Sequence, residues 1–219
     1  MAATLKAYKG MSMEGSIAHW YDRTTRKDMP EVRALAARIA AIVPAAGNVL
    51  EIAPGPGFLS IELARRGLNV RAVDISKTFV EIVQRNAAAE GATVDIQLGN
   101  ASALPLPDAS VDFVVCRAAF KNFTEPVKAM AEMRRVLRPT GTALLIDMRR
   151  DVSLAAIQHY VDNLGVNWFS RRFMMLTFRH MLIKRAYPLD DIRRMAAEAG
   201  WSDLRLTTSP LGFEAWTTK

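Results

Sequence analysis

Glu51, Gly55, Gly57, Asp74, Asn100 and Arg117 are the residues whose types and order could do chemistry together. Glu51 sits at the end of the apolar run NVLEI, and the turn APGPG follows it. Asp74 comes at the end of VRAVDI, Asn100 just after VDIQLG, and Arg117 just after VDFVVC. If each run is a strand of one parallel sheet, these polar groups gather at its carboxyl edge, where open α/β sheets bind ligands. A carboxylate there, about twenty residues past a glycine turn, can accept hydrogen bonds from ribose hydroxyls. The competing reading of Asp74 is an N-cap for a helix starting near Ser76. The turn itself is a poor pyrophosphate cradle. Pro54 and Pro56 remove two amide donors, and Ser60 stands where a dinucleotide fingerprint needs glycine. It suits a ligand that carries an amino acid, with a positive centre, at that point.

The elements that must hold these residues alternate in period. Short runs rich in β-branched or bulky apolar residues occupy 48–53, 70–75, 94–99, 111–116 and 142–147. Between them, LSIELARR, KTFVEIVQRNAAAE and EPVKAMAEMRRVL read as helices, and Gly67, Gly91 and the RPTG ending at Gly141 fall where helices should stop. Near-continuous apolar strands alternating with helices mean a parallel sheet covered on both faces. Upstream, PEVRALAARIAAIV is an amphipathic helix opened by Pro30. Residues 152–199 read as mostly helical, and LRLTTSP and GFEAWTTK as two strands of a terminal antiparallel hairpin. The expected fold is thus α/β and Rossmann-like, a mostly parallel seven-stranded sheet ending in that hairpin.

A chain of 219 residues, half of them apolar, suits one well-buried domain. We divide it into an N-terminal helical cap (1–45), a core (46–150), a helical insertion (151–187) and a C-terminal helix with hairpin (188–219). The single cysteine, Cys116, lies in an apolar run and predicts a buried thiol; it excludes an internal disulfide and a cysteine-rich metal site. No metal is expected. The first sixteen residues hold no apolar core of signal-peptide length and no later run reaches a membrane span, so a cytoplasmic protein is expected. The net charge of +7 is dispersed in pairs such as Arg65-Arg66 and Arg193-Arg194, which disfavours nucleic acid as a partner.

Taken in order, VLEIAPGPGFLSIELARRGLNVRAVDIS, LGNASALPLPDASVDFVVC and EMRRVLRPTGTALLID resemble the class I S-adenosylmethionine-dependent methyltransferases, within their small-molecule group. The resemblance spans about residues 30–150. It implies that Glu51 orders the turn and helps receive the methionine ammonium, and that Gly55 and Gly57 let backbone lie against the methionyl group. It implies further that Asp74 holds the ribose, that Ile75 packs on the adenine, and that Asn100 and Ala101 meet the adenine edge. Arg117 would contribute backbone beside the methionine, and Tyr21 would close on it. The product would be S-adenosylhomocysteine. Four positions depart from the pattern. Ala53 replaces the first motif glycine, Asn100 replaces a frequent aspartate, and Lys121 and Asn122 stand where many relatives have histidine.

Methyl transfer from a sulfonium needs alignment more than a protein base, because the cofactor supplies the electrophile. His19, His159 and His180 are the candidate bases. Trp20, Lys121, Asn122, Arg172, Met175 and Arg179 are the candidate acceptor contacts. If 168–183 is one helix, Arg172 and Arg179 share its narrow polar stripe, and Met174, Met175 and Met181 would give an adaptable apolar wall. The expected activity is methyl transfer to oxygen or nitrogen of a small, largely apolar or aromatic molecule. The alternatives are a carbon-methylating quinone or lipid enzyme, a nucleic-acid or protein methyltransferase, and a cofactor-binding module without catalysis.

Overall fold

The five apolar runs form the strands β1 (Asn48–Ile52), β2 (Asn69–Asp74), β3 (Val94–Leu98), β4 (Val111–Arg117) and β5 (Leu137–Met148). The hairpin adds β6 (Arg205–Thr208) and β7 (Gly212–Thr218). The computed structural model describes residues 8–9, 12–162, 168, 172, 175 and 183–219. One sheet takes the order β3-β2-β1-β4-β5-β7-β6, in which β7 alone runs antiparallel to its neighbours. From β1 the chain winds outward through β2 to β3, then returns to β4 on the other side of β1. The β1–β4 boundary is therefore the topological switch point.

Side-chain alternation along the strands feeds two core faces. Val49, Phe113, Val115 and Leu144 pack with α2 (Met29–Ala40) and α3 (Phe58–Ala64). Leu50, Ile52, Val114, Cys116 and Leu145 face the other way, onto α5 (Pro126–Val136) and α7 (Leu189–Glu198). Each fully buried Leu, Ile or Phe contributes about 1.5–3 kcal/mol. Cys116 is fully buried, as its apolar run predicts, and burial pushes its thiol well above the usual range. The helix α4 (Lys77–Ala89) covers Ala72 and Ile96 through Val83, and its N-terminus is capped by Ser76 Oγ, which accepts from Phe79 N.

Gly67 and Gly91, with φ of 81° and 62°, follow α3 and α4 as expected. Gly141 does not end a helix. The helix α5 stops at Val136, and β5 begins at once with Leu137. The register of β4 on β5 shifts between Val111 and Phe113, so the 137–141 segment is an irregular ladder with Gly141 inside it. A Cβ there would lie 2.9 Å from Leu137 Cδ2 and 3.1 Å from Asp112 O, so close strand contact, not helix termination, requires this glycine.

Before the sheet, α1 (Gly15–Thr25) docks on α4 through side chains. Glu14 accepts hydrogen bonds from Lys77 N, Thr78 N and Thr78 Oγ1 at 3.1, 3.1 and 2.6 Å. Buried Asp22 accepts from Arg85 and from Asn86 Nδ2, and Asn86 Nδ2 also donates to Pro56 O at 3.0 Å. After β5, α6 (Leu154–Asp162) packs Ile157 and Val161 on Ile183 and Leu211. Within the expected 168–183 helix, Trp168, Arg172, Met175 and Ile183 are described and helical; the rest lies outside the described residues. No helix among the described residues is long and apolar enough to cross a membrane.

Candidate functional site

At the switch point two backbones turn away from the sheet in left-handed conformations. Ala53 has φ 55° after β1, and Ala118 has φ 60° after β4. An alanine where the motif has glycine is thus held in the region glycine favours, at a cost of roughly 1–2 kcal/mol. Ala53 N donates to Val73 O at 2.8 Å, which ties the turn to β2.

The two glycines of the turn do different work. Gly57 (φ 79°) is the N-cap of α3, and a Cβ on it would come within 2.8 Å of Val83 Cγ2. Its missing side chain admits α4. Gly55 (φ 55°) faces Tyr21, and a Cβ there would meet Tyr21 Cε1 at 3.7 Å. Tyr21 therefore roofs the turn, edge-on to Phe79 at 6.1 Å between ring centroids, and burial raises its hydroxyl pKa against the lowering pull of Arg117.

Asp74 is buried at the end of β2. Its Oδ1 accepts from Ser76 N at 2.9 Å and its Oδ2 from Gly55 N at 3.4 Å. The helix cap is Ser76, so the N-cap reading of Asp74 is replaced by a carboxylate that bridges two loops. Burial pushes its pKa up to about 6, against the backbone hydrogen bonds that favour the charge. Glu51 points from β1 toward α3 and accepts from Ser60 Oγ at 2.5 Å. Desolvation raises it to about 7, opposed by that hydroxyl and by Arg117. Beside Asp74, Ile75 is 43% exposed and Leu98, its apolar neighbour at the end of β3, is 50% exposed. Asn100 Oδ1 accepts from Ser102 N at 3.0 Å, and Ala101 is buried behind it. Arg117 is half-buried and lies 3.6 Å from exposed Glu31.

The fold thus brings together Tyr21, Glu51, Ala53, Gly55, Asp74, Ile75, Asn100, Ala101 and Arg117. Other expected contacts fall elsewhere. His19 and Trp20 lie on the exposed side of α1, with Trp20 57% exposed, because Ala18 and Asp22 turn inward. His159 is exposed on α6. Met175 packs on the small core of α6, and Arg172 stacks on Trp168 with 6.0 Å to the ring centroid. His180 and Arg179, with Met174 and Met181, lie outside the described residues. Lys121 and Asn122 are buried, and Lys121 is an internal ion-pair partner of Asp147 rather than an open acceptor contact.

Some residues went unnoticed in the sequence. Asp147 closes β5 as Asp74 closes β2, so the same rule of reading strand ends identifies it. Tyr8 forms an antiparallel bridge with Phe123, just past β4, and Lys9 N donates to Asn122 O at 2.7 Å. Lys9 Nζ donates to Tyr187 Oη at 2.6 Å. Nothing local in AYKG announces that strap. Among the described residues no group of three or more His, Cys, Asp or Glu is placed to hold a metal ion.

A family model described as "Methyltransferase domain" matches residues 50–145, which include the turn, Asp74, Asn100 and Arg117. This core is similar to the class I S-adenosylmethionine-dependent methyltransferases. A demethylmenaquinone methyltransferase of Deinococcus radiodurans is 35% identical to this chain over 152 residues, which cover 65% of this chain and 62% of that protein. A demethylmenaquinone methyltransferase of Thermus thermophilus is 34% identical over 109 residues, 49% of this chain and 50% of the relative. The chain thus spans less than two thirds of the length of these two relatives. Among solved structures, a SAM-dependent methyltransferase from Aquifex aeolicus aligns with TM-score 0.66 at 18% identity, covering 93% of this chain and 97% of that one. The [4+2]-cyclase SpnF aligns with TM-score 0.61 at 20% identity, covering 95% of this chain and 68% of that one. Both share the fold.

Proposed function

We propose that this chain binds S-adenosylmethionine at the β1–β4 switch point and transfers its methyl group to a small, largely apolar or aromatic acceptor. The observation that carries the reading is Asp74, a buried carboxylate joined to the Gly55 amide beneath Tyr21. The donor set fits the cofactor. Asp74 keeps acceptor capacity for ribose hydroxyls, and exposed Ile75 offers an apolar face to a purine. Asn100 Oδ1 retains a lone pair for an adenine amino group. Glu51 and the end of β4 present negative charge and carbonyl oxygen to an ammonium.

The cofactor, when bound, supplies an electrophilic methyl group on a sulfonium. The protein residues bind, orient and exclude water. Tyr21 lies over Gly55 because Glu14 and Asp22 anchor its helix to α4. Alignment of this kind contributes as much as about 7–11 kcal/mol toward a bimolecular barrier. The exposed faces carrying His19 and His159 favour alignment over general-base chemistry from those residues. An oxygen or nitrogen acceptor is our first reading. The names of the two quinone-methylating relatives favour carbon methylation of a quinone as the second.

Calorimetric titration with S-adenosylhomocysteine tests the binding site. Wild type is expected to bind and Asp74→Ala to bind at least tenfold more weakly, given about 1.5–3 kcal/mol for charge-assisted hydrogen bonds. Equal affinity of the two proteins would reject the site. Product release in the presence of hydroquinones, phenols or amines then separates the acceptor readings.

A further inference from the structure

The Lys121–Asp147 pair lies behind the switch point, at the ends of β4 and β5. Lys121 and Asp147 are 6% and 5% exposed, and Nζ stands 2.8 Å from Asp147 Oδ1. Lys121 N donates to Asp147 Oδ2 at 2.9 Å, and Met148 N donates to Oδ1 at 2.7 Å. The ammonium makes one more contact, to Ala118 O at 2.7 Å. A buried ion pair is a weak source of stability, since desolvation offsets its attraction. What this one does is geometric: it grips the carbonyl of the left-handed alanine that ends β4.

That grip fixes the peptide before it as well. Ala118 N donates to Ile146 O at 2.7 Å, on the β5 side. In a parallel ladder successive residues direct their N–H and C=O groups to alternate neighbours. The peptide groups of Arg117 are therefore turned toward β1. There β1 has already ended: Ala53 N is committed to Val73, and Pro54 has no N–H to offer. The Arg117 carbonyl is left beside the start of the 53–57 turn, because the last pair of β1 with β4 is Ile52 opposite Cys116.

We propose that Lys121 is a positioning residue for cofactor recognition: by holding Ala118 left-handed it aims the Arg117 carbonyl at the place where the α-amino group of the bound cofactor sits. This rests on the binding site assigned above. It assigns a task to the lysine that stands where many relatives carry histidine, and it removes Lys121 from the acceptor pocket.

The test separates the amino group from the rest of the ligand. Calorimetry measures three probes: S-adenosylhomocysteine, its analogue lacking the α-amino group, and methylthioadenosine, which lacks the whole amino-acid portion. Wild type should prefer S-adenosylhomocysteine over the deaminated analogue by about tenfold or more, the range of a charge-assisted hydrogen bond. In Lys121→Met/Asp147→Asn, which leaves no lone buried charge, the preference should fall below about threefold while methylthioadenosine binds within about twofold of wild type. Lys121→Met alone should show the same loss of preference if it folds. An unchanged preference in the double variant, or no preference in wild type, overturns the positioning role while leaving the binding site intact. Failure of wild type to bind any of the three probes overturns both.

Discussion

Glu51 should destabilise the ligand-free protein at alkaline pH. Its folded-state pKa of about 7 stands above the ordinary 4.5, because burial disfavours the carboxylate more than Ser60 and Arg117 favour it. At about 1.4 kcal/mol per pH unit, the ionised side chain costs the fold about 3 kcal/mol above pH 7. The sign follows from proton uptake. Between about pH 4.5 and 7 the folded state binds more protons than the unfolded state, so stability falls as pH rises through that window. Glu51→Gln keeps an oxygen to accept from Ser60 Oγ and removes the charge. Without cofactor, urea unfolding at pH 8 should show the variant more stable by about 2–3 kcal/mol, with a melting temperature higher by roughly 5–10 °C. At pH 5 the difference should shrink to less than about 1 kcal/mol. Asp74 titrates in both proteins, so comparing them isolates Glu51. Saturating S-adenosylhomocysteine should narrow or reverse the gap, because its ammonium compensates the charge. A variant equal to or weaker than wild type at pH 8 refutes the reasoning.

Two further outcomes follow from the same site. Ribose hydroxyls donate only to ionised Asp74 with full strength, so affinity for S-adenosylhomocysteine should be level above pH 7 and fall as pH drops through about 6; measured in the Glu51→Gln background, affinity that holds level down to pH 5 contradicts the assignment. Gly57→Ala combines a left-handed alanine with a Cβ 2.8 Å from Val83, and should cost about 2–4 kcal/mol in urea unfolding. Adding Val83→Ala should recover the packing part and not the backbone part, and full recovery would show that the left-handed conformation is not required.

Strand ends were legible because hydrophobic runs stop where side chains leave the sheet. That rule located Glu51, Asp74, Asn100 and Arg117, and the turn residues with them. It also covers Asp147, which closes β5 in the same way. Gly57 has a reason to be glycine that its place in the motif does not give: φ and packing against Val83 of α4 both demand it, and that helix contact is not written in the local sequence. Lys121 read as a polar residue in a loop, since the carboxylate that neutralises it lies 26 residues on. RPTG does follow the end of a helix, at Val136, but the place of Gly141 inside an irregular stretch of β5 was not legible, because a strand irregularity and a helix stop use the same residue. The Tyr8–Lys9 strap depends on main-chain pairing across more than a hundred residues, which leaves no local periodicity. The inward face of α1 was obscured by the chemistry of its neighbours: His19 and Trp20 drew attention, whereas Ala18 and Asp22 do the docking.

The roof over Gly55 hangs on α4 by side chains, through Glu14 on Thr78 and Asp22 on Asn86. Asn86 in turn holds the Pro56 carbonyl in the floor. Floor and ceiling are therefore hinged on one helix. In the site proposed above, the hold on a ligand between them therefore depends in part on a polar latch remote from the reacting atoms, beside the packing of Ala18 on Phe79 and Ile82.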